Sequence, residues 1–411
     1  MTAAVITVGC RLNQAESDCL RARLQQQGVV LVANPREADA VYVNTCTVTG
    51  NADRNSLALI RHLSKLQPKP RIVVLGCYAE RVGERLALIP GVDEVWSNRR
   101  KQEEIAGVVP MAVRSRALLK VQDGCDNGCS YCVVARVRGK PVSVPVATVQ
   151  EQFNQLINQG FGEIVLTGLN LGKYQSGDFK LGALLALLLK IPGRFRIRLA
   201  SIEPDCFDDE LLEVIQDSKV CAHFHIPLQS GDDRILAAMR RRYTTAYYRR
   251  LLERLELVKP AVNIGADVIT GFPGEDERSF ARTEHFLESV PVKYLHVFPY
   301  ALRPETPAAV LGDVVDRSIK QERVQRLRDF SERRRAAYYR QFDQTVREVV
   351  LEPGYKALTD NYLRVALTPE GKGYRCGQLA RVKLRFEADG PLMTGCLPDC
   401  PEYALVKEEA L

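Results

Sequence analysis

The run DGCDNGCSYC places Cys125, Cys129 and Cys132 in one loop at C-x3-C-x2-C spacing, and no other stretch of the chain constrains the fold as tightly. A mononuclear tetrahedral metal wants four ligands, usually in paired C-x2-C knuckles. Three thiolates in one loop instead suit a cubane iron–sulfur cluster with one iron left without a protein ligand. An open iron can take a substrate or a cofactor. The loop therefore reads as a reaction centre, and the fold has to hold it at the rim of a rigid frame.

The surrounding sequence supplies such a frame. Residues 1 to about 105 alternate strand and helix patterns, which implies an open parallel α/β sheet. AAVITVG runs to Cys10, AVYVNTC ends on Cys46 and RIVVLGC ends on Cys77, with a helix expected over 15–27 on the Leu20 and Leu24 face. Parallel sheets do their work beyond the carboxyl ends of their strands. Three cysteines delivered to one edge point to a second cluster, although a lone cysteine is ordinarily a small buried apolar residue. Residues 99–116 are basic and irregular and read as a linker. Six strand candidates lie within 117–310, each followed by a helical pattern, and together they suggest an incomplete (β/α)6 barrel with its chemistry at the strand ends. One long basic helix is expected over 314–344. Short strand runs from about 345 suit a small β-barrel. The domain limits expected are 1–105, 117–335 and 345–411.

Twelve cysteines in a chain of 411 residues, placed singly or at metal-like spacing, read as cytoplasmic metal chemistry rather than a disulfide scaffold. The start MTAAVITVGC lacks the charged and apolar blocks of a secretory signal, and no apolar run is long enough to span a bilayer. Lys and Arg outnumber Asp and Glu by 57 to 50, an excess that permits a nucleic-acid partner without demanding one.

Taken together, TVGCRLNQAESD, NTCTVT, VLGCYAE, the cysteine loop, HIPLQSGDDRILAAMRRRYT, GADVITGFPGE and LTDNYLRV resemble the radical S-adenosylmethionine (SAM) methylthiotransferases over about residues 5 to 370. NTCTVT and QDGCDNGCSYC resemble the branch acting on N6-threonylcarbamoyladenosine in transfer RNA more than the isopentenyladenosine branch. The resemblance implies a radical SAM barrel and a terminal RNA-binding barrel of the TRAM type. It implies two four-iron four-sulfur clusters, one on Cys125, Cys129 and Cys132 and one on Cys10, Cys46 and Cys77. It also implies two SAM molecules per turnover, the first methylating a cluster-borne sulfur and the second yielding a 5′-deoxyadenosyl radical that takes hydrogen from C2 of the adenine. The implied partners are a tRNA anticodon stem-loop, a low-potential electron donor such as flavodoxin or ferredoxin, and a sulfur donor. No membrane is involved.

By the same resemblance Arg241 pairs with the SAM carboxylate, and Glu203, Gln229 and Ser230 bond its ribose or amino group. Asp267 and Gly271 wall the adenosine, and Gly168 with Asn170 lets a ligand approach the backbone. Each has a plainer reading as a cap or a turn. His223 and His225 share one strand face, inside or outside the barrel, and are expected to pack rather than bind metal, because no third ligand is evident. Cys19, Cys206, Cys221 and Cys376 are expected to pack, and Cys396 with Cys400 to lie in an exposed tail. RNA phosphates are expected at the 99–101 cluster, Arg136, Arg138, Lys140, Arg249, Arg250 and the Arg333 to Arg340 stretch, with Tyr362 stacking or packing. Ala135, Ala301 and Glu305 depart from the family pattern on the expected substrate side. The readings that compete are a methylthiotransferase for isopentenyladenosine or a ribosomal-protein aspartate, a non-catalytic iron–sulfur RNA-binding protein, and a zinc protein.

Overall fold

In the computed structural model the described residues are 1–111, 114–312, 315–367, 375–387 and 393–396. The first strands alternate apolar side chains to both faces, as a parallel sheet covered on two sides requires. Tyr42, Val73 and Leu75 meet one helix layer, while Val41, Val43, Ile72 and Val74 meet the other. The strands are Thr2–Thr7, Val30–Leu31, Ala40–Thr45, Arg71–Gly76 and Glu94–Val95, in sheet order second, first, third, fourth, fifth. Two of the five are residue pairs too short to carry a sequence signal.

The first helix begins earlier than its apolar face suggests, at Arg11, with Cys10 as its N-cap residue. The expected linker over 99–116 holds a helix instead, Asn98–Ile105. Ser97 accepts a hydrogen bond from Arg100 N to start it, and its buried residues are Lys101 and Ile105. Charge hid that helix, because Lys101 is buried as half of an ion pair.

Six parallel strands then form an open barrel: Ala117–Lys120, Glu163–Thr167, Arg196–Leu199, His223–His225, Asn263–Thr270 and Tyr294–Pro299. Two three-stranded halves join where Ile197 N donates to Lys219 O at 2.7 Å and Cys221 N to Ile197 O at 2.8 Å. Apolar strand residues such as Ile164, Ile197, Ile264 and Ala266 pack into the large core shared with Phe153, Leu184 and Leu185 of the surrounding helices. The polar residues that alternate with them, His223, His225, Asn263 and Asp267, line the interior cavity, which settles the histidine face.

The long helix Arg317–Arg340 leads to a closed five-stranded barrel, with neighbours Val346–Glu352, Lys356–Thr359, Arg364–Leu367, Met393–Cys396 and Leu379–Phe386. The turn after its second strand plugs the N-terminal end of the larger barrel. Arg198, fully buried and paired with Glu163 at 2.7 Å, donates to Asp360 O and Thr359 O, each at 2.9 Å. Arg196 donates to Leu358 O at 2.7 Å, and Asn263 Nδ2 to Asn361 O at 2.9 Å. Tyr362, at φ 68°, turns inward there. Among the described residues no helix is long and apolar enough to cross a membrane.

Candidate active site

Each N-terminal cysteine lies where a strand ends and the chain turns. Cys46 follows Ala40–Thr45, Cys77 opens a short helix after Arg71–Gly76, and Cys10 caps the first helix. Asn13 Oδ1 sits 3.8 Å from Cys10 Sγ and 3.9 Å from Cys77 Sγ. Gly9 lies at φ +115°, and a Cβ there would stand 2.7 Å from Cys46 Sγ, so only glycine leaves that sulfur clear. The three thiols therefore converge on one spot. Burial pushes the Cys10 thiol up, and the Cys46 thiol up to about 11. Iron would reverse that, since a coordinating thiol is deprotonated by the metal's charge.

The second triad is a single loop after the first barrel strand. Cys132 N donates to Cys129 O at 3.2 Å, and Val134 N points at Cys132 Sγ at 3.4 Å. Asn170 Nδ2 lies 3.8 Å from Cys125 Sγ, and Arg241 Nη1 lies 3.1 Å from Cys129 Sγ. Burial raises Cys125, and takes Cys132 up to about 11. Donors aimed at sulfur, no competing disulfide among the described cysteines and three clustered thiols per site are what a cluster of four irons with one open corner needs.

Cys10 of the first triad and all three cysteines of the second line one cavity of about 630 Å³. Gly168, Asn170, Glu203, Gln229, Arg241 and Asp267 line it as well. Ser230 and Gly271 are not among the lining residues. Ser230 sits against Thr283 at 3.4 Å, and Gly271 N donates to Glu275 at 2.7 Å with Lys320 packed over it. Arg241 is engaged by Glu203, by Tyr243 OH at 3.1 Å and by Cys129, so its position is fixed before any ligand arrives. The Oδ1 of Asn170 is buried and unpartnered, an acceptor left over for a ligand.

The barrel wall adds residues that the sequence does not single out. Asp267 Oδ1 is 2.9 Å from His225 Nε2 and 3.3 Å from His296 Nδ1, so one carboxylate joins His225 to a histidine that the sequence does not mark. His223 Nε2 lies 2.8 Å from Tyr294 OH, and its ring stacks on Tyr362 at 4.1 Å. Tyr362 OH also accepts from Arg11 Nη2 at 3.0 Å. That phenol faces the barrel interior, where it packs.

Glu16, on the first helix, ties the two domains together. It is buried against Lys101 at 2.7 Å, Lys120 at 3.0 Å and Arg138 at 2.5 Å. Arg138 also places Nε 3.0 Å from Cys77 Sγ and Nη2 2.7 Å from Asn13 Oδ1. Local charge assigns Arg138 and Lys101 to RNA phosphate, but both are enclosed in this network. Arg99 pairs with Glu103, Arg100 with Glu94, Arg249 with Ser289, and Arg334 with the carbonyls of Leu287 and Glu288. Lys140 and Arg250 are exposed, as is Arg136, which donates to Glu305 O at 2.6 Å. Glu305 itself pairs with Arg81 at 2.7 Å, a domain contact away from the cavity. Ala135 does line the cavity, and Ala301 is exposed outside it. Cys19, Cys221 and Cys396 are buried, Cys206 is half-buried and Cys376 is exposed, while Cys400 lies outside the described residues.

An open parallel barrel with a three-cysteine loop at its strand ends defines a radical SAM protein, and the comparisons agree. Residues 2–97 match the Uncharacterized protein family UPF0004 and residues 119–287 the Radical SAM superfamily. The solved radical SAM methyltransferase TsrM from Kitasatospora setae superposes with a TM-score of 0.58 over 75% of this chain and 77% of that one, at 15% identity. Threonylcarbamoyladenosine tRNA methylthiotransferase MtaB from Bacillus subtilis is 35% identical, covering 93% of each chain. Its namesake from Aquifex aeolicus is 36% identical over 93% of this chain and its own full length. A tRNA-2-methylthio-N(6)-dimethylallyladenosine synthase from Endomicrobium trichonymphae is 33% identical over 79% of this chain and 82% of its own. The chain belongs to the radical SAM methylthiotransferase family, in its MtaB branch.

Proposed function

We propose that the chain inserts a methylthio group at C2 of N6-threonylcarbamoyladenosine beside the anticodon of tRNA. The observation that carries this reading is the shared cavity, which is lined both by Cys10 of one triad and by Cys125, Cys129 and Cys132 of the other. An enzyme that only made a radical would need one triad; two opening on the same space suit sulfur transfer. The names of the Bacillus and Aquifex relatives support the nucleoside.

When bound, the two clusters and SAM supply the radical, the sulfur and the methyl group. The chain's residues bind, orient and exclude water. Asn170, with its spare Oδ1, Glu203 and Gln229 offer polar contacts to the SAM ribose or amino group. Asp267 and the Gly168 backbone flank the adenosine. Arg241 steadies Cys129 and lies within reach of a carboxylate. Ser230 and Gly271 brace the wall from behind. Tyr362 and Tyr294 close the far end against water. We divide these tasks among units 1–105, 117–335 and 345–411. A low-potential electron donor such as flavodoxin or ferredoxin, a sulfur donor and a cytoplasmic setting complete the proposal.

The test is anaerobic reaction of reconstituted protein with SAM, a reductant and an anticodon stem-loop bearing the threonylcarbamoyl nucleoside. Mass spectrometry should find 5′-deoxyadenosine and a methylthio nucleoside. SAM cleavage without RNA product, or product only on isopentenyladenosine RNA or a ribosomal-protein aspartate, would refute it.

A further inference from the structure

The cavity is electrically lopsided. Its two lining carboxylates, Glu203 and Asp267, are engaged by Arg241 and by the His225 and His296 rings. At the other end, where the long helix and the terminal barrel meet it, the lining charges are Arg11, Lys293, Arg335 and Arg364, with no carboxylate among the lining residues there. Two of these cations are occupied. Arg11 donates to Tyr362 OH at 3.0 Å, and Lys293 pairs with Glu256 at 2.8 Å.

Arg335 and Arg364 differ from them. Neither guanidinium has an ion pair or a hydrogen bond among the described residues. They belong to two rigid elements, the helix Arg317–Arg340 and the strand Arg364–Leu367. Tyr339 of that helix ties the two elements together, for its OH accepts from Arg364 N at 3.3 Å and its phenol feels the charge of both arginines. The positive field there is strong enough to act on a neighbour. Burial would push the Tyr362 phenol up, yet Arg11, Arg116, Arg198 and Arg364 together bring it below its ordinary value.

Two guanidiniums that line the terminal-barrel end of the cavity, with no carboxylate among the lining residues there, await an anion on the ligand. The two nucleosides handled by the relatives differ in just this respect. A threonylcarbamoyl group ends in a carboxylate, whereas a dimethylallyl group is a hydrocarbon. We propose that Arg335 and Arg364 clamp the threonine carboxylate of the substrate nucleoside and so select it over the dimethylallyl nucleoside. This deepens the functional reading above and rests on it. Guanidinium and carboxylate match in a planar, two-point geometry that a neutral group cannot satisfy. The clamp also explains why the terminal barrel is joined to the catalytic one: a strand of one and a helix packed on the core of the other each bring one arginine. Both residues would act as specificity contacts at the periphery of the adenine, away from the sulfurs.

The test uses the full-length reconstituted enzyme and three anticodon stem-loops, bearing the threonylcarbamoyl nucleoside, its methyl ester and the dimethylallyl nucleoside. Affinity is read by fluorescence anisotropy and methylthiolation by nucleoside mass spectrometry. Wild-type protein should favour the acid over the ester by about tenfold or more, the worth of a hydrogen-bonded charge. In the Arg335→Gln/Arg364→Gln double variant that ratio should collapse toward unity, and each single variant should lower it part of the way. Iron content and thermal melting of each variant establish that it is folded. Should the double variant not fold, the two single variants decide between the outcomes. A variant that keeps the wild-type acid-to-ester ratio overturns the clamp. So does one that weakens acid and ester equally, since that marks contacts to RNA phosphate. Both outcomes leave the functional reading standing. Wild-type enzyme that cleaves SAM yet leaves the acid-bearing RNA unmodified overturns that reading, and the clamp falls with it.

Discussion

The two thiol triads are built in opposite ways. Cys125, Cys129 and Cys132 share one loop, are all half-buried and face the cavity together. Cys10, Cys46 and Cys77 come from three strand ends, and Cys46 and Cys77 are only 3% exposed. The loop triad is local and forms when its loop forms. The strand-end triad exists only once the parallel sheet has set its strand ends in register. It also leans on the other domain, since Arg138 reaches Cys77 from the helix Val134–Arg138 that follows the loop of Cys125, Cys129 and Cys132. A dispersed site inherits every weakness of the fold around it, whereas a compact one inherits few.

The largest effect should come from the triads themselves. Cys129→Ala should abolish both 5′-deoxyadenosine formation and methylthiolation. Cys46→Ala should abolish methylthiolation while SAM is still cleaved. Each should lose roughly half of the bound iron, measured after anaerobic purification. A Cys46→Ala protein that still methylthiolates would erase the division of labour.

The next effect lies at the domain joint. Glu16→Ala leaves Lys101, Lys120 and Arg138 without their shared carboxylate, and should cost about 3–5 kcal/mol of stability in urea unfolding. The N-terminal triad should lose its iron before the barrel triad does. Burial pushes the Glu16 carboxyl up, but Arg138, Lys101 and Lys120 prevail and hold it well below 4.5. A folded-state value below the unfolded one means that this stability is complete above about pH 4.5 and drains away as pH falls further. Glu16→Gln should flatten that part of the pH profile, read from urea midpoints between about pH 3 and pH 7.

A subtler probe is Arg138→Gln, which removes the N–H directed at Cys77 and spares the barrel loop cysteines. The electron paramagnetic resonance signal of the N-terminal cluster should shift, and that of the barrel cluster should not. Equal shifts in both would show that the two sites are not insulated from each other. The smallest effect belongs to Tyr362→Phe, which deletes one hydrogen bond to Arg11 and should cost about 1 kcal/mol in thermal or urea unfolding.

Much of this arrangement is legible in the residues. The cysteine spacing and the strand-end placement of Cys10, Cys46 and Cys77 are one-dimensional patterns, and the fold places both sets where the patterns point. The six barrel strands are legible as short, largely apolar runs set between helical patterns, with polar residues alternating in RIRL and HFH. What stays hidden is pairing across long sequence separations. Arg138 and Lys101 look like RNA contacts when read as local charge, and Glu16, far away in the chain, is what draws them inside. Ser230 and Gly271 sit in suggestive motifs, yet neighbouring residues along a strand or turn can face away from the cavity. His296 and Tyr294 carry no motif of their own, and their role follows from lying one strand over from Asp267 and two from His223.

The inward turn of Tyr362 changes what the last module is for. A chain stopped short of residue 345 would lose more than an appended barrel, because the catalytic chamber would lose its floor. Solvent could then well up from below toward a short-lived radical that consumes whatever hydrogen it meets first. The terminal barrel and the catalytic chamber are thus welded into one piece, and a redesign aimed at either would have to rebuild both.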